Sequence, residues 1–454
     1  MRRPRTLRAL RTAVLTAAAI AATAALAACS APAASQPSGK APQAYDGKPV
    51  TITFWHPFTD DHDVNAMNAV LAMFHKAYPN ITVNAVKAQD SDKVTQAISA
   101  GTAPDVALAF DANKVGKWCS TGAFTDLTPA LKAGGVDMTQ FPTSVLSYTG
   151  YQGKQCTLPL LADTFGLYYN KTLLAQAGYS GPPKTMAELT AMAEKLTVRG
   201  PDGTIQVAGF MPYLGVYQAV AEHFLPSFGG TWLAPDGTSH LAAEPAVAAM
   251  LTWQKNLVDF FGAKNLEKFK AGLGDEFSAQ NAFETGKIAM MVDGEWRNAM
   301  ITSDGSKVDW GTAPVPAADD QPQLYGAGFV GGNVIGLPRG GKNQAAAFEL
   351  VKYLTTDTQA LAAFADGLGN VPTTKAALSY PGLKLAADPH FQPFLQVFAN
   401  PATTTTPAST DGGAYLTNFG QFALRWQQGG VSDLTKGLAD LDAQNNAALK
   451  LGAP

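Results

Sequence analysis

Val50-Thr51-Ile52-Thr53-Phe54-Trp55 is followed by Met67, Val70, Leu71, Phe74 and Tyr78, and then by Ile81-Thr82-Val83. These three patterns decide the fold class. Val50, Ile52 and Phe54 alternate, as in a strand with one buried face. The next five apolar residues follow helical spacing, so one face of a helix is apolar. Pro79-Asn80 ends that helix, and Ile81 opens a second strand. Asp105 to Phe110 (DVALAF) reads as a third. Strand, helix, strand in this order predicts parallel pairing and an α/β lobe.

Further along, the style repeats. Thr185-Met186-Ala187-Glu188 has the form of a capping box, in which hydroxyl and carboxylate satisfy the free N–H groups of a helix start. Residues 240–261 are helical in pattern, and Ala347, Leu350, Val351 and Leu354 mark another amphipathic helix. The tract PATTTTPASTDGG at 401–413 reads as a long loop, exposed or functional rather than core. A chain of 454 residues is too long for one compact core and predicts two or three domains.

The amino terminus has a separate task. Arg2, Arg3, Arg5, Arg8 and Arg11 precede an apolar run from Ala13 to Ala28. That run spans about 24 Å as a helix, short of a bilayer crossing. Residues 1–28 therefore read as a secretory signal peptide. Leu26-Ala27-Ala28-Cys29 resembles the bacterial lipobox, which implies that Cys29 is lipidated and becomes the mature amino terminus. Two acyl chains would give stable anchoring to the outer face of the cytoplasmic membrane. Residues 29–47, rich in Ala, Pro, Ser and Gly, read as a flexible tether.

The full chain holds 33 basic and 36 acidic residues; losing the five signal arginines leaves 28 against 36, a net charge of −8. Such a balance argues against nucleic acid or an anionic lipid surface as partner. With Cys29 lipidated, Cys119 and Cys156 remain in an exported chain, where a disulfide is expected and two free buried thiols are the alternative. Neither lies in a CxxC pair or beside a His, so no redox or metal role is expected.

Ser99-Ala100-Gly101-Thr102-Ala103-Pro104-Asp105-Val106 opens a series of blocks with a familiar order. Leu158-Pro159-Leu160-Leu161-Ala162-Asp163-Thr164-Phe165-Gly166-Leu167-Tyr168-Tyr169-Asn170-Lys171 and Pro182-Pro183-Lys184-Thr185 come next. After them stand Phe283-Glu284-Thr285-Gly286-Lys287-Ile288-Ala289-Met290-Met291 and Asp293-Gly294-Glu295-Trp296. Gly328-Phe329-Val330-Gly331-Gly332 and Gly369-Asn370-Val371-Pro372 complete the series. In these blocks the chain resembles the extracellular solute-binding proteins of carbohydrate ABC importers, the group that includes maltose-binding protein. The resemblance implies a two-lobed periplasmic-binding-protein-like α/β fold with a hinged cleft between the lobes. It places the first lobe at 48–160 plus 311–354 and the second at 161–310 plus 355–454. It also implies a non-enzymatic, monomeric subunit without cofactor, serving two permease subunits and a cytoplasmic ATPase.

Sugars present hydroxyls at their edges and C–H groups on their faces, so a sugar site combines carboxylates or amides with aromatic rings. Trp55, His56 and Asp60 follow the first strand, and Asp111 follows the third. The density of His and Asp over Trp55-His56-Pro57-Phe58-Thr59-Asp60-Asp61-His62-Asp63 could instead bind a metal, but Pro57 stiffens the loop and no other His block supplies ligands. By resemblance Asp163 is the acidic contact at the lobe crossing, Trp296 and Trp232 stack on sugar, and Tyr213 packs on ligand. Met211 stands where relatives can carry a Glu. Asp293 belongs to the same block as Trp296. Gly331 and Gly332 would let backbone approach a ligand, or simply turn. Trp118, Trp253 and Trp310 read as core.

The leading reading is a binding protein for a mono- or oligosaccharide. Arg297 or Arg339 would suit a sugar phosphate or acidic sugar, because guanidinium pairs bidentately with such anions. A secreted glycoside hydrolase is the rival of a different class, with Asp293 and Glu295 or Asp60 and Asp63 as the carboxylate pair. An adhesin or docking lipoprotein is a third.

Overall fold

The structure, a computed structural model, describes residues 42–212 and 217–452. The signal peptide, Cys29, most of the tether and Tyr213 lie outside the described residues. Ten strands form one curled sheet: β1 (Val50–Trp55), β2 (Ile81–Val86), β3 (Val106–Ala109), β4 (Thr157–Asn170), β5 (Val198–Arg199), β6 (Ile205–Phe210), β7 (Ile288–Gly294), β8 (Trp310–Pro314), β9 (Val330–Gly336) and β10 (Val371–Pro372). Their order is β2-β1-β3-β9-β4-β7-β6-β5, with β8 and β10 also on β4. β1 pairs in parallel with both β2 and β3, as the opening strand–helix–strand pattern requires.

The helices used below are α1 (Asp61–Ala77), α2 (Met186–Leu196), α3 (Pro245–Phe261), α4 (Arg297–Ser303), α5 (Gln344–Thr356), α6 (Thr358–Leu368), α7 (Gln392–Ala399), α8 (Ala414–Gln427) and α9 (Leu434–Gly452). Helix α1 begins where Asp60 accepts from the Asp63 N–H, and it buries Met67, Val70 and Phe74. At the start of α2, Thr185 accepts from Glu188 N–H at 3.2 Å. The returning Glu188 carboxylate takes the N–H of Lys184 at 2.7 Å, one residue before the cap.

Two main cores divide the α/β layers into two lobes. One joins Ile52 and Phe54 of β1, Phe74 of α1, Leu158, Leu160 and Leu161 of β4, and Leu350 of α5. The other joins Leu167 of β4, Leu189 of α2, Phe210 of β6, Leu251 of α3, Met290 of β7, Phe419 of α8 and Leu441 of α9. β4 is the shared element. Its first part pairs with β9 through Thr164↔Val330, and its second part pairs with β7 and β8 from Phe165 and Gly166 onward. One strand thus changes partners and cores within a few residues, so any relative motion of the lobes must bend it.

Two expectations drawn from the sequence meet different packing. Helix α6, which the sequence boundaries put in the second lobe, sends Leu361 and Phe364 into the core of β1 and α1. β8, put in the first, pairs with the part of β4 that lines the second core. The end of the tether is held rather than free: Tyr45 packs against the first core and Gly47 carbonyl accepts from Asn80 at 2.8 Å. The 401–413 tract is not an exposed loop either. Thr403, Thr406, Ser409 and Thr410 are buried, Thr404 bridges Phe329, and Thr406 donates to Asn113 at 2.6 Å. Its hydroxyls satisfy backbone and amide groups, which is why a polar sequence can be packed.

Candidate functional site

Ligands of open α/β sheets sit outside the carboxyl ends of the strands. β1 ends at Trp55 and β3 at Ala109, which faces Val334 of β9. β9 in turn sets Gly331 opposite Asp163. From the other lobe, β7 runs to Gly294 opposite Phe165, and its parallel neighbour β6 ends at Phe210. The end of β3 is thus level with Pro159 and that of β7 with Phe165, so carboxyl ends from the two lobes flank the stretch of β4 that holds Asp163. Trp55, Asp163, Trp296 and Gly331 are partly exposed there, and Asp111 is exposed.

The aromatic wall is built on Trp296. Its indole lies over Gly294, where an added Cβ would come within 2.2 Å of the ring. The indole N–H donates to Tyr217 hydroxyl at 3.1 Å. Phe165 meets the indole edge-on at 5.6 Å, and its other neighbours are His223, stacked at 3.5 Å, and Phe329 at 5.7 Å. Burial holds His223 neutral, pushing it down to about 3, with its ring nitrogen Nδ1 donating to Gln218 carbonyl at 2.8 Å. Phe277, 60% exposed, meets Tyr217 edge-on at 4.9 Å. Across the sheet Phe110 is 51% exposed and packs on Phe58. Sequence reading missed Tyr217, His223, Phe277 and Phe110. An aromatic immediately after DVALA was the one local signal, since that position follows a strand end.

Beneath the wall lies a carboxylate pair. Asn370 amide donates to Asp163 Oδ1 at 2.7 Å and to Glu295 Oε1 at 2.9 Å. Glu295 Oε2 accepts from Thr164 N–H at 2.8 Å. Burial pushes Asp163 up to about 7, against the pull of Asn370. Burial first, and then the charge of Asp163, pushes Glu295 well above the usual carboxylate range.

Other expected contacts sit elsewhere. Asp293 and Arg297 are fully buried, joined by Nε to Oδ2 at 2.7 Å, with Glu284 3.7 Å from Arg297 Nη1. They form an ion cluster under α4 and offer no surface to a ligand. His56 is buried between Phe54 and Phe58, and burial pushes it down to about 4. Asp60 caps α1, accepting from Asp63 N–H; the His62 ring pairs with the Asp63 carboxylate at 3.2 Å, and ligand atoms of the three side chains lie within 4.8 Å of one another. Gly332 is buried in β9, where a Cβ would lie 2.4 Å from Leu161 carbonyl, so its bareness admits the crossing strand rather than a ligand. Trp232 belongs to the second core, edge-on to Phe419. It borders a cavity of about 800 Å³ with Tyr151, Phe398 and Thr403; Trp55, Asp163 and Trp296 do not line it. Trp118 is buried as expected, Trp253 packs on the second core, and Trp310 stacks on Tyr168 at 5.8 Å. Cys119 and Cys156 form a disulfide with Cα atoms 5.6 Å apart. Among the described residues no helix is long and apolar enough to cross a membrane.

Known proteins match this architecture. A maltotriose-binding protein of Pyrococcus abyssi is 24% identical over 73% of this chain and 68% of its own length. A maltooligosaccharide ABC transporter solute-binding lipoprotein of Streptococcus pneumoniae is 29% identical over 64% of this chain and 64% of its own, so the chain spans somewhat under two thirds of that relative. The solved structure of CpMnBP1 with mannotriose bound superposes with a TM-score of 0.76 at 29% identity, over 87% of this chain and all of that one. The family model for bacterial extracellular solute-binding proteins matches residues 60–361. With that match spanning more than half its length, the chain belongs to the bacterial extracellular solute-binding proteins, a family of binding proteins rather than enzymes.

Proposed function

We propose that the chain captures a neutral oligosaccharide between its lobes and passes it to an ABC permease. The observation that carries this reading is that strand ends from the two lobes flank Asp163 on β4, with Trp296 half-buried just past the end of β7. A carboxylate beside aromatic faces suits a ring with hydroxyl edges and C–H faces. The sugars named for the relatives favour the same class: maltotriose, maltooligosaccharide and mannotriose. Acidic cargo is disfavoured, because Arg297 is closed by Asp293. The hydrolase reading is disfavoured too, since Asp293 and Glu295 do not reach solvent and, in the Asp60–Asp63 pair, Asp60 is engaged in capping α1.

Trp55, Asp111, Asp163, Tyr217, Phe277 and Trp296 are the contacts we assign. We place the lobes at 48–162 plus 330–398 and 165–315 plus 414–452, following the cores. Cys29 would carry two acyl chains outside the cytoplasmic membrane, with residues after it giving reach to two permease subunits and their ATPase.

The test is a thermal-shift and tryptophan-fluorescence titration with mannotriose, maltotriose and a panel of charged sugars. A true cargo raises the melting point with concentration by mass action. Trp296→Ala should weaken binding by about tenfold or more through lost face contact. A panel that leaves melting and fluorescence unmoved, or glycan cleavage with release of reducing ends, would remove the proposal.

A further inference from the structure

The crossing of β4 between the lobes is where a protein built only for stability would place apolar side chains. Here it carries Asp163, half-buried, beside Glu295 from the end of β7, fully buried, and neither has a cation of its own. Glu295 is fully buried, and no Lys, Arg or His lies within ion-pair distance of it or of Asp163 among the described residues. The groups around them can be followed element by element. β4 supplies Thr164, whose N–H meets Glu295, and Tyr168, whose hydroxyl donates to Gly294 carbonyl at 2.7 Å. β7 supplies Asp293 and α4 supplies Arg297, already joined to each other. The turn between α6 and β10 supplies Asn370. From α7 comes only a carbonyl, that of Phe394, 3.5 Å from Thr164 Oγ1. The segment before β4 supplies Tyr148, 1% exposed, whose hydroxyl has no hydrogen-bond partner. That hydroxyl lies 2.9 Å from where a Cβ of Gly332 would stand, beside the strand pair that holds Asp163.

Two carboxylates this close, without a cation, cannot both carry charge cheaply in a buried site. The Asn370 amide has two hydrogens and gives one to each. It therefore holds the pair in place while neutralising neither.

We propose that Glu295 is a positioning residue that keeps its own proton beside Asp163, with the Asn370 amide bridging the two, so that capture of cargo at Asp163 releases the proton of Asp163. The cargo half of the statement rests on the assignment of Asp163 as a sugar contact. A sugar hydroxyl donating to Asp163 favours its ionised form, and the proton it gives up leaves to solvent. Glu295, protonated beside it, keeps the second charge away. Both carboxyls keep their protons at pH values where an unfolded chain has lost them, as their burial-raised affinities require. Stability contributed this way is present below the ordinary carboxylate range and is lost as pH rises through neutrality.

Two measurements on the full chain test the two halves. First, melting of the sugar-free protein is followed from pH 4.5 to 8.5 for the wild type and Glu295→Gln, with Asp163→Asn as a second variant. The wild type should fall relative to Glu295→Gln as pH rises, by about 2 °C or more at the alkaline end. Parallel curves for both variants would overturn the protonated pair. Second, calorimetry with mannotriose near neutral pH is run in phosphate and in Tris. The wild type should show a buffer-dependent enthalpy signalling proton release, reduced in Glu295→Gln. Tight binding with no buffer dependence would overturn the coupling to capture. Absence of binding to any sugar of the panel would instead sink the cargo reading and with it the capture step, while the sugar-free curves still decide the proton.

Discussion

Trp296 rests its indole on the bare Cα of Gly294, two residues earlier in the chain. A methyl at Gly294 would stand 2.2 Å from the indole carbon Cη2, closer than packed atoms come. Gly294→Ala should therefore swing the ring off its seat rather than unfold the lobe, since the clash is with the far end of a side chain. Overpacking of this kind costs about 1–3 kcal/mol. Tryptophan emission should shift, and affinity for the captured sugar should drop by about tenfold or more, with secondary structure retained. Unchanged emission and affinity would detach Trp296 from Gly294 and from the site.

The opening strand–helix–strand unit was legible because each element carries its own periodicity: Ile52 and Phe54 alternate, and Met67, Val70 and Phe74 share a helix face. Asp163 and Trp296 could be nominated because they stand in blocks shared with a known family, and both are partly exposed in the fold. What stayed hidden depends on partners far along the chain. Nothing local in LPLLADTFGLYYN says that one strand changes cores at Asp163. Asp293 and Arg297 read as site residues because charge beside an aromatic suggests a ligand; that they satisfy each other is visible only when α4 folds back on β7. Helix α6 has apolar residues on much of its surface, so its pattern fits either core, and only contact with α1 decides.

Asp105 ties three elements together and should be among the costlier polar residues to lose. Its buried carboxylate accepts from Thr53 N–H at 2.8 Å and Thr53 hydroxyl at 3.1 Å, and from the N–H groups of Lys342 and Asn343 at 2.8 Å each. It thus joins β1 to the turn that starts α5. Asp105→Asn replaces one acceptor oxygen with a donor that faces N–H groups. Hydrogen bonds to a charged group contribute about 1.5–3 kcal/mol, and the stranded donors add to the loss. A denaturant midpoint well below wild type, with sugar affinity per folded molecule unchanged, is the expected result. A shift within about 0.5 kcal/mol would show that water replaces the lost acceptor.

The Cys119–Cys156 bridge should act on stability alone. It spans 37 residues of sequence between the segment after β3 and the start of β4, within the first core's neighbourhood. Loop closure of that length is worth about 4 kcal/mol on the chain-entropy model. The double variant Cys119→Ser with Cys156→Ser should melt several degrees lower and still bind sugar with wild-type affinity. Loss of affinity without loss of melting point would show that the bridge shapes the cleft.

His56 and His223 make the fold more sensitive to acid. Both are buried, and burial pushes them down to about 4 and about 3. Their folded forms refuse the proton that an unfolded imidazole takes up near pH 6.5. The unfolded chain therefore binds more protons across the interval between those values. Stability rises with pH over that window and is lost as pH falls through it. This slope has the opposite sign to that of the Asp163–Glu295 pair, so the two oppose each other below neutrality and separate in variants. His56→Asn removes one acid liability: it should cost stability at pH 7 through lost packing between Phe54 and Phe58, yet show a shallower fall from pH 6.5 to 4 than the wild type. Melting curves at half-unit pH steps resolve the two effects. An identical acid slope in His56→Asn would mean that the imidazole charges inside the folded chain and would overturn the prediction.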